Sequence, residues 1–440
     1  MQSQLSQTLL QVNASEPFIP VVTSFAESTA IALGLGKTEA LDLMLAAEEV
    51  FYHLCRVVLP EGGLVAILCS GGGYYVRLDF TFPSSDFDMR AFNITAAVSL
   101  SDEAGIEQMG LLLASRSVDR FKVVREPGRG LKLTLLKEKT YASLEAAPTA
   151  GPAKPLEQFI VRAPDSEELK LIARLLDLYY ENQPLPDFFS YPGKLVDMVQ
   201  GGELKSGAAV GPSGEIGGAV FWRWMGTRAV ECFGPYLFNQ KPDSPISDAL
   251  LESCIGAIAK TSAVVLINQF PTSELPREQF EYLGSALACA KDGTRTRREA
   301  WARLLREDLG SAVWVHPRLA DFVEREYSRL VLPREIRQVK DQGEQRSPHS
   351  VLLTTFDRLR GSVRIDPISY GKDFESNLVQ HLELFRQEGI LDVFFVMDLG
   401  QSWQAELTSG LLRQGFGPCL LLPYAGTGDH VVFQLQEAAS

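Results

Sequence analysis

Four residues in this chain have the type and spacing to do chemistry. In LAAEEVFYHLCRVV (residues 45–58), Glu49 and His53 stand four apart, which on a helix places a carboxylate and an imidazole on one face. Such a pair could form an acid/base couple, hold a metal ion, or simply face solvent. In the second half of the chain, Glu231 and Tyr282 could serve as a base and an acid. Their alternative readings are a strand residue on a polar face and a packing residue at a helix end.

The elements that must position these groups can be traced from periodicity. Apolar spacing predicts helices over 18–35 and 39–58, with Thr38 as N-cap of the second, and PEGG at 60–63 stops it. Strands follow over 64–69 and 74–82, joined by a glycine-rich turn, and then a helix near 102–115 and a hairpin over 121–125 and 131–137. The stretch AAPTAGPAKPLE (146–157) reads as a linker. Beyond it the order is strand, helix, three strands, helix over 246–260 and the apolar strand AVVLINQF. Residues 276–309 read as a charged helical segment, rich in Arg and Glu. Residues 337–350 read as a loop, and the tail gives β, β, α, β, α, β, β. The expected organisation is a domain over 1–145, a linker over 146–157, a domain over 158–330 and a partial domain over 331–440. The fold class is α/β (α+β): an N-terminal two-layer sandwich followed by one or two mixed-sheet units.

Bulk composition narrows the classes of function. The chain has 440 residues, a net charge of −13 and 45% hydrophobic residues, an ordinary globular composition. The acidic balance argues against non-specific binding to nucleic acid or to an anionic membrane. No apolar run is long enough to span a bilayer, and the N-terminal residues lack the pattern of a secretory signal, so a cytoplasmic protein is expected. The six cysteines are scattered, without a CxxC, and are expected to be reduced. The five histidines form no HExxH pattern.

Residues 15–140 resemble the ATP-binding domain of anti-sigma factor serine kinases, within the histidine-kinase-like ATPases. The family's E-x-x-x-N signature falls on Glu49 and His53. The resemblance implies a catalytic role for Glu49, a metal-holding role for position 53, and ATP and Mg²⁺ as cofactors. Imidazole replaces the amide oxygen there, whereas Mg²⁺ favours hard oxygen ligands. The adenine-reading aspartate of the D-x-G-x-G motif falls on Asp79, with Thr81 and Pro83 where the glycines belong. The last glycine motif falls on Gly105 and Gly110 in GIEQMGLLL.

From Glu157 onward, the words VRAPDSEELKLIARLLDLYY, EIGGAVFWRW and EQFEYLG resemble the acyl-CoA N-acyltransferases, and the tail from about Val351 resembles a second, incomplete copy. The family's pyrophosphate loop corresponds to FNQKPDSPISDALL, where Pro242 and Pro245 have no N–H to offer. In the tail it corresponds to ISYGKDFESN. Together these resemblances imply a regulatory protein with a degenerate ATP-binding domain and acyltransferase-like domains, acting by binding a protein or ligand. The expected partner is an anti-sigma antagonist or a sigma factor, with no direct contact to nucleic acid or membrane. The alternatives are an active serine kinase and an N-acyltransferase using acetyl-CoA.

Overall fold

In the computed structural model, residues 7–59, 63–83, 93–95, 111, 114, 116–126, 130–144, 151–241, 244–289, 295–340, 343–357 and 361–436 are described. The chain forms two compact units: residues 1–141 with 348–353, and residues 142–347 with 354–440. The class is mixed α/β.

Unit 1 carries a five-stranded sheet in the order β1-β2-β3-β5-β4. Its strands are β1 (Gln7–Asn13), β2 (Leu64–Gly71), β3 (Tyr75–Phe82), β4 (Arg120–Glu126) and β5 (Gly130–Glu138), and its helices are α1 (Ile19–Ala32) and α2 (Lys37–His53). Strand β1, at the sheet's edge, was not foreseen. The α2 N-cap is Gly36, two residues ahead of Thr38, and no side-chain hydrogen bond caps the helix. Alternation decides which face is covered. Val65, Ile67 and Cys69 of β2, Val76, Leu78 and Phe80 of β3, and Leu133 and Leu135 of β5 are all buried. The two helices lie over this face. Thr29 of α1 hydrogen-bonds Cys69, and Asp42 of α2 pairs with Lys137 at 2.8 Å.

Unit 2 is organised by a twelve-stranded sheet, in the order β15-β16-β17-β19-β18-β11-β12-β10-β9-β8-β7-β6. Its first half comprises β6 (Ile160–Arg162), α3 (Ser166–Tyr179), α4 (Pro192–Gln200), β7 (Lys205–Val210), β8 (Ile216–Trp224), β9 (Ala229–Leu237), α5 (Ile246–Ile258), β10 (Val265–Asn268), β11 (Glu281–Cys289) and β12 (Arg295–Leu304). A small parallel pair follows, β13 (Ser311–Val315) and β14 (Arg334–Gln338), connected by α6 (Ala320–Leu330). The tail gives β15 (Val351–Asp357), β16 (Ser362–Ser369), α7 (Phe374–Gln387), β17 (Asp392–Asp398), α8 (Ser402–Ala405), α9 (Thr408–Arg413), β18 (Phe416–Leu422) and β19 (His430–Leu435).

The sheet contains a repeat. Strand β9 runs parallel to β10, which is antiparallel to β12, which is antiparallel to β11. In the tail, β16 runs parallel to β17, which is antiparallel to β19, which is antiparallel to β18. The two halves meet back to back through β11 and β18, which pair antiparallel at Gly284 and Leu420. Gly284 has φ +124°, and a Cβ there would stand 2.3 Å from the Cys419 carbonyl oxygen, so only glycine permits this approach. Beside it, the Gln434 side-chain amide accepts from Leu287 N (2.9 Å) and donates to Leu287 O (2.8 Å), completing the seam where backbone pairing stops.

The sequence-based helix over 276–309 is absent. Those residues build β11 and β12, preceded by one 3-10 turn, Arg277–Gln279. The string AWARLLRED has high helix propensity, but pairing to β10 on one side and β18 on the other overrides it.

Candidate functional site

Glu49 and His53 share α2, but Asp79 is not brought to them. Glu49 lies part-exposed on α2, and burial, followed by the Glu48 charge, pushes its carboxyl above the usual range. His53 ends α2 and is buried, at 4% exposure, where the helix passes into the wider turn Leu54–Val58. It is therefore not on a solvated face. Asp79 pairs across β2 and β5 with Leu68 and Thr134, on the sheet face opposite Leu78 and Phe80. The helices cover the Leu78 face, so the sheet separates Asp79 from Glu49 and His53. Its carboxylate accepts from Thr134 Oγ1 at 2.6 Å and lies 3.2 Å from Lys132 Nζ and 3.3 Å from Arg77 Nε. Gly105 and Gly110 lie outside the described residues. This donor set does not fit Mg-ATP: the aspartate meant for the base faces away from the helix meant for the metal. Among the described residues, no group of three or more His, Cys, Asp and Glu side chains could hold a metal ion.

In unit 2, Glu231 lies on β9 with its side chain 2% exposed. Its Oε2 accepts from Arg223 Nε (2.9 Å) and Nη2 (2.8 Å), and its Oε1 accepts from Gln269 Nε2 (2.8 Å). The Arg223 guanidinium lies over the rings of Phe233 (5.2 Å) and Phe188 (5.9 Å), and Arg298 lies over Phe270 (4.8 Å). A general base must reach the proton it takes. This carboxylate is instead walled in by aromatic rings and held by two partners of its own chain. Tyr282 is not a helix-end residue. It stands on β11, against Trp301 at 5.4 Å, three strand positions from β9 or roughly 14 Å at ordinary strand spacing. It also faces the α5 side of the sheet, since it pairs with Trp301, which packs in the α5 core with Val230 and Cys232. Glu231 faces the other side. The two cannot act on one substrate atom.

The edge of β9 that could receive an extended ligand is already occupied. β10 pairs with β9 only as far as Glu231. Beyond that point, the freed carbonyls are taken by side chains: Gly234 O accepts from Asn268 Nδ2 (2.6 Å) and Pro235 O from Thr272 Oγ1 (2.7 Å). Pro235 has no N–H to offer. The Tyr180 hydroxyl accepts from Leu237 N at 2.8 Å.

The loop before α5 is similarly committed. Gln240 Oε1 accepts from Leu156 N (2.9 Å), and its Nε2 donates to Phe238 O and Lys154 O. Asn239 Nδ2 donates to Ala153 O. The second part of the expected linker is thus strapped onto unit 2, with the Leu156 side chain against Gly217, where a Cβ would come within 2.5 Å of it. Pro245 stands at the helix N-cap, and Ile246 N is within 3.4 Å of Ser244 Oγ. Pro245 at the cap offers no N–H to an anion there, and Pro242 lies outside the described residues. In the second repeat, Arg364 pairs with Phe394 at the register position that Glu231 holds against Ile267. A cation there replaces the carboxylate.

One polar centre escaped the sequence reading. The Arg334 side chain is fully buried and donates to Asp308 (2.8 Å) and Asp429 (2.7 Å), both also buried. The Tyr424 hydroxyl donates to Asp308, and Tyr424 N to Asp429 at 2.8 Å. The guanidinium lies 4.5 Å from the centre of the Tyr424 ring. The cluster ties β14 to both repeats. It is an internal brace: its partners span 308 to 429, a separation that no local pattern reveals.

No protein-family model matches the chain, and no curated protein matches it. Solved structures do. A GNAT-superfamily phosphinothricin acetyltransferase of Sinorhizobium meliloti, in complex with AcCoA, is 17% identical over 33% of this chain and 88% of its own, with a TM-score of 0.28. An aminoglycoside 6'-acetyltransferase type Ii is 14% identical over 34% of this chain and 98% of its own, with a TM-score of 0.27. The GNAT-family N-acetyltransferase YhbS of Escherichia coli, in complex with CoA, is 11% identical over 44% of this chain and 94% of its own, with a TM-score of 0.25. Among the described residues, no helix is long and apolar enough to cross a membrane.

Proposed function

We propose that this protein regulates by binding a partner, on a scaffold with acyltransferase-like strand order that does not transfer acyl groups. One observation carries the reading: the freed edge of β9 and the carboxylate beside it are filled by the chain's own side chains, Asn268 and Thr272 on the carbonyls and Arg223 and Gln269 on Glu231. Each would have to leave before a donor could bind or a base could act. For unit 1, the family resemblance supplies the candidate partners, an anti-sigma antagonist or a sigma factor.

The test is thermal unfolding of the full chain with millimolar acetyl-CoA, and separately with Mg-ATP. A ligand at a hundredfold its Kd adds about 2.7 kcal/mol of stability, a shift that is easily measured. The expected result is no shift with either. A shift with acetyl-CoA, with acyl transfer to an amine that Glu231→Gln abolishes, would overturn the proposal in favour of an N-acyltransferase. A shift with Mg-ATP would restore the kinase reading of unit 1.

A further inference from the structure

The two repeats of unit 2 differ in one feature that has a use. In the second repeat, the connection from β17 to β18 contains α8 and α9, and these lie on the sheet. Thr408 Oγ1 is 3.8 Å from Met397 Sδ of β17. Phe395, two residues earlier on the same strand face, packs against Phe374 of α7. Arg413 of α9 pairs with Glu375 of α7. So α7 and α9 cover one face side by side. In the first repeat, α5 takes the place of α7, but the connection from β10 to β11 provides only the turn Arg277–Gln279. The equivalent face of β11 and β12 therefore has no helix from its own connection.

That face is aromatic and basic. Tyr282 and Trp301 lie half-buried on it, and Leu287 is 41% exposed and pairs with the exposed Arg297. Arg277 lies over the Trp301 ring at 5.4 Å, and Arg303 follows on the same side of β12. Arg277 pairs with Glu299 at 3.5 Å, Arg303 donates to Gln279 at 2.5 Å, and Arg329 of α6 donates to Tyr282 O and lies 5.9 Å over its ring, so the face is rich in guanidiniums in a chain whose net charge is −13. Side chains from Arg297 to Arg303 span roughly 20 Å along the strand, and the twelve residues from 402 to 413 that cover the second repeat would span about 18 Å as a continuous helix.

We infer that the α5-side face of β11 and β12 is a docking surface for an acidic amphipathic helix of a partner protein. The inference rests on the proposed binding function and names the surface through which it works. The helix would lay an apolar stripe over Leu287 and Trp301, and its carboxylates would meet Arg297 and Arg303, and Arg277 beside Glu299. Charge complementarity selects the partner, because a basic helix would face these three guanidiniums.

The probe is a fluorescein-labelled peptide of residues 401–414 carrying Arg413→Glu and Gln414→Glu, titrated with the full chain by fluorescence anisotropy. A basic peptide carrying Glu406→Lys in the parent segment is the control. The acidic peptide is expected to bind at least about tenfold more tightly than the basic one, and less tightly as salt is raised. Leu287→Asp and Arg297→Glu in the chain should each weaken it by about tenfold or more, while the melting temperature stays unchanged because both side chains are exposed. Equal binding of the two peptides, absence of binding, or indifference to both variants overturns the inference. A concentration-dependent dimer of the chain that Leu287→Asp dissociates also overturns it, assigning the face to self-association. Acetyl-CoA binding strikes at the proposed function instead and is read in a separate titration.

Discussion

The buried Arg334 cluster gives the sharpest prediction of stability. Arg334→Met removes the cation and leaves Asp308 and Asp429 buried with no counter-charge at 2.8 and 2.7 Å. Removing one partner of a buried ion pair costs about 3–5 kcal/mol, because the remaining charge stays desolvated. Both carboxylates share this cation, so the upper part of that range is expected. All five tryptophans (222, 224, 301, 314 and 403) lie in unit 2, so their fluorescence in a urea titration follows this unit alone. At a slope of about 3 kcal/mol per molar urea, the midpoint should fall by roughly 1.3 to 1.7 M. The loss should also depend on pH. Burial opposes the Asp308 charge, but the Tyr424 hydroxyl and Arg334 outweigh it and hold the carboxyl below its usual range. A group with a depressed folded pKa stabilises above its unfolded pKa, near 3.9 for Asp, and loses that contribution as pH falls through the folded value. In the variant, Asp308 loses the Arg334 contribution and takes up its proton at higher pH, which relieves its penalty. The gap between parent and variant should therefore narrow between pH 7 and pH 4. Asp308→Asn and Asp429→Asn added to Arg334→Met should recover most of the loss, since a neutral replacement of the whole cluster strands no charge. A loss under about 1 kcal/mol at pH 7, or a triple variant no better than the single one, would refute the reasoning.

Three further outcomes follow from the geometry. Gly284→Ala should destabilise unit 2 by about 1–3 kcal/mol through its positive φ and the clash with Cys419 O, whereas Gly256→Ala, on an open face of α5, should stabilise by about 0.5–1 kcal/mol; urea midpoints separate the two. Glu231→Gln should lower stability by about 1 kcal/mol or less, discounted because Arg223 is 40% exposed, and a double-mutant cycle with Arg223→Met checks that the loss belongs to the pair. Burial depresses the pKa of His316, His381 and His430, so the unfolded chain binds protons first as pH drops below about 6.5. Stability of unit 2 should fall from pH 7 to pH 5, by up to about 1.4 kcal/mol per pH unit for each histidine, and His381→Gln should reduce that slope.

Legibility in the sequence followed the range of the interactions. The tail strands were readable because runs such as LDVFFVMDL are apolar enough to specify strands without help from elsewhere. The strands β11 and β12 were not, because Arg, Glu, Ala and Leu favour a helix locally and only distant partners select the sheet. The α4 and α6 helices did carry a helical spacing, with Leu195, Val196 and Met198, and Val323, Tyr327 and Leu330, on their buried sides, and they were legible but not foreseen; β14 (REIRQ) is polar and left no apolar run. At the candidate site, the face of Asp79 was in fact legible. In YVRLDFTF, Val76, Leu78, Phe80 and Phe82 alternate with Arg77, Asp79 and Thr81, so any strand that buries the first set turns Asp79 away from the helices. The commitment of Glu231 to Arg223 and Gln269 was hidden, because it depends on register between β8, β9 and β10.

The repeat accounts for how a carboxylate such as Glu231 is held by partners of its own chain. A sheet of this size needs its inner strands buried on both faces, and each repeat meets that demand with what its connections supply. Around β9, the space beside the diverging strands is closed by Asn268, Thr272 and Gln269, which satisfy carbonyls and a carboxylate that would otherwise be buried without partners. Once those groups are satisfied internally, a ligand must displace made hydrogen bonds instead of supplying missing ones, and leaving a buried acceptor unpaired costs about 1–3 kcal/mol. Across the sheet, the face of β11 and β12 shows the reverse condition. Its aromatic rings and guanidiniums are part-exposed, and they gain by being covered. On the proposed reading, the scaffold is closed around Glu231 and part-exposed over β11 and β12, as expected of a protein that works through partners.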